Sequence, residues 1–121
     1  MRDHRSLRAW QEAHAVSLGV IRVSRHCWKS YAAAVFGQLQ RSSLSTQLNI
    51  AEGYTFGNTP TFTRHLGIAY GSAVETVELL KLGIEAEVLP AHVAGDLLRH
   101  ANRCSQLLLG LLKRRRRFKA A

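Results

Sequence analysis

The stretch from Leu7 to His26, LRAWQEAHAVSLGVIRVSRH, decides the fold class. Wound at a helical period, it puts Leu7, Trp10, His14, Leu18 and Ile21 on one stripe and Ala9, Ala13, Val16, Val20 and Val23 on a second beside it. Arg8, Gln11, Glu12, Ala15, Gly19 and Arg22 fill the narrower arc that is left. A surface helix covers one core with an apolar stripe about 100° wide. The two stripes together span roughly 200°, so this helix is expected to bury two faces. One packs in its own domain and the other meets a partner subunit, with the Val20 stripe the candidate for the partner side.

The pattern continues on both sides of a connection at Trp28–Ala34. A second helix is expected from Val35 to Tyr54, with Leu39, Leu44, Leu48, Ile50 and Ala51 as its apolar contacts. Its Ser42, Ser43, Ser45, Thr46 and Asn49 are poor helix formers that suit close helix approach and bonding back to backbone carbonyls. Gly57-Asn58 makes a turn. Thr59-Pro60 then starts a third helix, Thr59 as N-cap and Pro60 in its first position. Phe62, Leu66, Ala69, Ala73, Val77, Leu80 and Ile84 mark its apolar face, and Gly67 and Gly71 offer a place for a neighbouring backbone. Leu89-Pro90 ends it. Val93, Leu97, Ala101, Cys104, Leu108 and Leu112 carry a fourth helix onward. Short connections favour antiparallel neighbours, so the expected architecture is all-α: an antiparallel up-down-up-down four-helix bundle over residues 1–112, with a basic tail at 113–121.

The chain has 121 residues, 17 Lys+Arg against 8 Asp+Glu, and a formal net charge of +9. Six of the basic residues, Lys113, Arg114, Arg115, Arg116, Arg117 and Lys119, fall in seven positions, which leaves the rest of the chain only mildly basic. Complementing a helix dipole takes one or two charges. Six crowded cations repel one another, so the tail is expected to fray unless a polyanion such as RNA, DNA or an acidic protein neutralises it. The N-terminus lacks a secretory h-region, and no apolar run approaches the length of a membrane span. Cys27 and Cys104 are expected to be free thiols, which agrees with a cytoplasmic location and no membrane partner.

The segment Arg41-Ser42-Ser43-Leu44-Ser45-Thr46-Gln47-Leu48-Asn49-Ile50-Ala51-Glu52-Gly53 resembles the signature of the bacterial four-helix bundle protein family, also called the rRNA intervening-sequence protein family. Three further elements agree: Leu7-x-x-Trp10-Gln11-x-Ala13, Gln38-Leu39, and Phe62-x-Arg64-x-Leu66-x-Ile68-Ala69-x-Gly71-Ser72-x-x-Glu75. Together they cover about residues 7 to 112. Where the family often has Ile-Pro or Val-Pro after the signature serine, this chain has Thr46-Gln47. The resemblance implies a bundle that assembles into a ring-like homopentamer. It also implies distant similarity to the accessory proteins of diversity-generating retroelements, basic pentamers that work with a reverse transcriptase and nucleic acid.

Little in the sequence points to catalysis. Arg41, Ser45, Asn49 and Glu52 recur along one face of the second helix, and with Ser72 and Glu75 of the third they form a candidate structural polar network. Glu52 and Glu75 are the one candidate acid/base pair, and nothing supplies a positioned nucleophile. No Glu-x-x-His occurs, so the di-iron bundle pattern is missing. His100 and Cys104 have helical ligand spacing and are a candidate metal pair, which His26-Cys27 could approach from the first helix. His14 is expected to be a satisfied core or interface residue, and His65 and His92 to be exposed. Trp10 and Trp28 are base-stacking candidates whose alternative is packing. The expected function is a non-enzymatic, cofactor-free homo-oligomer that acts as an adaptor, binding nucleic acid or a nucleic-acid enzyme through its basic tails. The alternatives are a protein-interaction scaffold without nucleic-acid binding and a metal-binding or enzymatic bundle.

Overall fold

A computed structural model describes residues 3–120, with side chains described as far as Arg115. Four helices account for most of it: α1 (Arg8–Cys27), α2 (Ala33–Tyr54), α3 (Pro60–Glu85) and α4 (Ala91–Ala120). Short 3₁₀ turns at His4–Ser6 and Ser30–Ala32 precede α1 and α2, and there is no strand among the described residues. Each helix packs on its sequence neighbour, and α4 returns to α1. Neighbours run antiparallel, since contacts step in opposite senses along each pair: His14 with Gln47 and Ser17 with Ser43, Gln38 with Glu75 and Asn49 with His65, Ala9 with Cys104 and Glu12 with His100. α2 runs unbroken through Thr46-Gln47.

The helix ends follow local chemistry. Thr59 Oγ1 accepts from Phe62 N at 3.4 Å, and Pro60 occupies the first turn of α3. α3 closes in a Schellman motif: Val88 N donates to Gly83 O at 2.9 Å and Glu87 N to Ile84 O at 3.0 Å. Glu87 takes the left-handed position at φ 58°, where glycine is usual. Leu89 folds back onto Gly83, so close that a Cβ there would lie 2.7 Å from Leu89 Cδ1.

The core has two apolar halves. Val16, Val20, Val23, Phe36, Leu39, Leu80 and Leu97 fill the half nearer the α1–α2 connection. Trp10, Ile50, Leu66, Cys104, Leu108 and Leu112 fill the other. Between them lies a waist of buried hydroxyls: Ser17, Ser42, Ser43, Thr46 and Thr76. Thr46 donates to the Ser42 carbonyl at 2.9 Å, and Thr76 Oγ1 lies 2.8 Å from Ser42 Oγ. The waist encloses a void of about 10 Å³ lined by Ala13, Ser43, Thr46, Ala73, Thr76 and Ala101, room for roughly one water.

Several expectations are corrected by this packing. The Val20 stripe is the core face of α1, with Val20 only 1% exposed; Leu18 and Ile21, at 38% and 51%, face outward instead. Ala9, Ala13, Val16 and Val23 are buried with Val20, and from the other stripe Trp10 also joins the core. Leu44 and Leu48, expected to make apolar contacts, are exposed on α2. Gly67 and Gly71 face open space, and among the described residues no backbone packs on them. α4 continues as helix through the basic run to Ala120.

Candidate functional site

The basic run starts on the last turns of α4, beside the start of α3. Lys113 and Arg114 are exposed, whereas Arg115 is partly buried. Its guanidinium lies 4.8 Å from the centre of the Phe62 ring, donates to the Thr59 carbonyl at 2.8 Å, and also bonds Thr63 Oγ1. These contacts fix the course of α4 as it passes the N-terminus of α3. An open groove of about 390 Å³ lies beside them, lined by Asn58, Pro60, Leu66, Leu111 and Arg114 among others. The side chains of Arg116, Arg117 and Lys119 lie outside the described residues.

The polar seam between α2 and α3 divides into two groups. In one, Ser45 Oγ and Ser72 Oγ are 2.8 Å apart, Asn49 Nδ2 donates to the Ser45 carbonyl at 2.8 Å, and Asn49 Oδ1 meets His65 Nδ1 at 2.9 Å. His65 is therefore half-buried rather than exposed, and its ring stacks on Phe56. In the other, Arg41 donates to Gln38 Oε1 at 2.8 Å, and Gln38 Nε2 donates to Glu75 Oε1 at 2.7 Å. Gln38 thus stands between Arg41 and Glu75. Glu52 joins neither group: it is exposed, and only its carbonyl is engaged, by Thr55. Gln38 and Glu52 are about 20 Å apart along α2 at the helical rise. The proposed pairing of Glu52 with Arg41, and of Glu52 with Glu75 as acid and base, therefore has no geometric basis.

The functional-looking contact that the sequence did not expose is Glu12. It sits in the narrow polar arc of α1, yet its side chain is only 16% exposed. Glu12 Oε2 lies 2.6 Å from His100 Nδ1, and Arg103 Nη1 donates to Oε1 at 3.4 Å. One signal was available: Glu12 is the one acidic residue between Asp3 and Glu52. His100 and Cys104, the candidate metal pair, are thus turned to other partners, Cys104 Sγ donating to the Ala9 carbonyl at 3.5 Å. Among the described residues, no three His, Cys, Asp or Glu side chains gather as a metal site. Both cysteines are free. Burial, reinforced by the nearby Glu12 charge, pushes the Cys104 thiol up to about 12. His14 stacks on buried Trp10 and bonds Gln47.

Two predictions follow from these contacts. Glu12→Ala lowers unfolding stability by about 1–2 kcal/mol because it removes charged hydrogen bonds between α1 and α4. Glu52→Leu changes it by less than about 0.5 kcal/mol. Urea unfolding of both variants checks the contrast, and a large loss for Glu52→Leu would place that residue back in the network. Second, Ellman's reagent at neutral pH should label Cys27 in the folded protein and Cys104 only in denaturant. The sign of the pH effect follows: the folded state keeps Cys104 protonated while the unfolded thiol ionises above about 9, so stability falls as pH rises from 9 towards 12. Replacement by alanine should remove that part of the slope.

No helix among the described residues is long and apolar enough to cross a membrane. A search of curated proteins returns no match. Among solved structures, the chain is similar to a protein of unknown function from the S23 ribosomal protein family of Bacteroides thetaiotaomicron VPI-5482. The TM-score is 0.76 at 19% identity, over 87% of this chain and 98% of that one, a likeness of fold. The family model described as 23S rRNA-intervening sequence protein matches residues 5–110. With a match over most of its length, this four-helix chain belongs to the 23S rRNA-intervening sequence protein family.

Proposed function

We propose that this protein is a non-enzymatic, cytoplasmic homo-oligomer that holds nucleic acid, or an enzyme acting on nucleic acid, through the basic end of α4. The observation that carries the reading is the crowding of six basic residues into Lys113–Lys119 on a helix that Arg115 anchors to α3. A helix held to its neighbour at Arg115 loses less backbone freedom on binding than a frayed tail. The binding is phosphate neutralisation with little reading of bases. A pentameric ring, which the family resemblance implies, multiplies the effect: five such ends carry roughly thirty positive charges and act together.

The outward faces of α1 and α2 support self-association. Leu18, Ile21, Leu44 and Leu48 are exposed on these adjacent helices, as a surface covered by a second copy requires. The same residues favour the second reading, an interaction scaffold whose partner is another protein.

The test of the first reading is fluorescence anisotropy of a generic single-stranded RNA across a salt series. The intact protein should bind with a steep salt dependence. Replacing Lys113, Arg114, Arg116, Arg117 and Lys119 by glutamine, with Arg115 kept, should flatten the log–log slope by about 3 to 4. Equal slopes for the two proteins reject the tail as the contact. For assembly, Ile21→Glu should reduce the mass measured by light scattering while the fold persists, whereas Val20→Glu should unfold the bundle. An unchanged mass for Ile21→Glu removes that face from the subunit contact.

A further inference from the structure

The two tryptophans have different fates. Trp10 is 6% exposed and stacks on His14 inside the core. Trp28 is 48% exposed, and Tyr31, three residues on, is 76% exposed. Trp28 caps the end of α1, and Lys29 after it is extended, so the chain leaves the helix before the 3₁₀ turn that opens α2. The Trp28 ring leans on buried Phe36 with centroids 5.1 Å apart and planes tilted by 34°. That contact holds one part of the indole against the core and leaves the remainder in solvent.

The setting is basic. Arg22, Arg25, His26 and Lys29 are all exposed around this connection, and no acidic residue occurs from Ala13 to Ala51. A groove of about 420 Å³ opens beside it, between the α1–α2 and α3–α4 connections, and His26 and Lys29 line one side. Glu87 lines the other and is the acidic group there. This end of the bundle is opposite the end of α4, because α1 and α4 are antiparallel.

We infer that the α1–α2 connection is a second binding site, one that takes single-stranded nucleic acid by stacking bases on Trp28 and Tyr31 while Arg25 and Lys29 meet its phosphates. It rests on the preceding reading only for the class of ligand, since it lies away from the basic run. Exposed aromatic faces set among cations match a flexible strand with unpaired bases, and every base offers a face to stack. An acidic polypeptide satisfies the cations but offers nothing periodic to the rings. A duplex keeps its bases stacked inside.

The experiment uses the full chain carrying Trp10→Phe, which leaves Trp28 as the fluorophore, titrated with a short oligothymidylate. Stacking should quench Trp28 emission saturably, in step with the anisotropy of the labelled strand. Tyr31→Ala, at a site too exposed to endanger the fold, should weaken binding by about tenfold, the lower range of the loss of one stacked base. The quenching should persist when Lys113, Arg114, Arg116, Arg117 and Lys119 are changed to glutamine. Binding without quenching, and insensitive to Tyr31→Ala, overturns this site and leaves the α4 contact standing. Quenching with full affinity after the glutamine changes supports this site and overturns the α4 contact. Absence of binding by both measures overturns both. Displacement of the strand by polyglutamate at equal charge concentration overturns the stacking site in favour of an acidic protein partner.

Discussion

The hydroxyl waist sets the terms for the rest of the structure. Ser17, Ser42, Ser43, Thr46 and Thr76 are buried in the middle of the bundle, where a polar group without a partner costs about 1–3 kcal/mol. Each hydroxyl is satisfied by a carbonyl or by another hydroxyl, and the bonds run within α2, between α1 and α2, and between α2 and α3. The bonds within α2 move with the helix, but the two that cross, Ser17 Oγ to the Ser43 carbonyl and Thr76 Oγ1 to Ser42 Oγ, form in one register, and a slide of α2 by a turn would break both and leave Ser17 without its partner. The waist therefore fixes α2 between its neighbours, and the two apolar halves supply the bulk of the burial on either side.

With that register set, the peripheral polar contacts act as fasteners at different heights. Glu12 with His100 and Arg103 joins α1 to α4, Gln38 with Glu75 joins one end of α2 to α3, and Asn49 with His65 joins the other. The α4 course set by these contacts ends with Arg115 against Phe62 and Thr59. The position of the basic run thus depends on packing far from it.

The helices were legible because they rest on local signals, period and the Thr59-Pro60 start, but α3 stops at Glu85, short of the expected Leu89-Pro90, because the Schellman turn at Glu87 closes it first. The outward face of α1 was not legible. Both of its stripes are apolar, and periodicity alone does not distinguish the buried Ala9–Val20 side from the exposed Leu18 and Ile21. The same limit applies to the polar seam. Spacing along α2 put Arg41 and Glu52 on one face, but a long arginine meets Gln38, one turn away, before any carboxylate. Ser45, Asn49 and Ser72 do lie together, because short side chains bond to what the backbone puts beside them. Glu12 was hidden by its place in a polar arc. Trp28 was ambiguous until the end of α1 at Cys27 decided that it would cap the helix.

The distribution of charge constrains any bound strand. The basic end of α4 and the α1–α2 connection lie at opposite ends of a bundle about 30 Å long, from the rise of a 20-residue helix. Glu75, Glu78 and Glu85 are exposed along α3 and repel a phosphate backbone on that side. The α1–α2 side carries no acid from Ala13 to Ala51 and exposes Arg22, Arg25 and Arg41. A strand touching both ends of one subunit would therefore follow α1 and α2. Those helices also expose Leu18, Ile21, Leu44 and Leu48, the residues of the subunit contact proposed above. One face cannot serve both purposes in the same assembly. If copies of the chain meet through it, a strand reaches the two ends only from different subunits, and binding becomes a property of the assembly rather than of the single bundle.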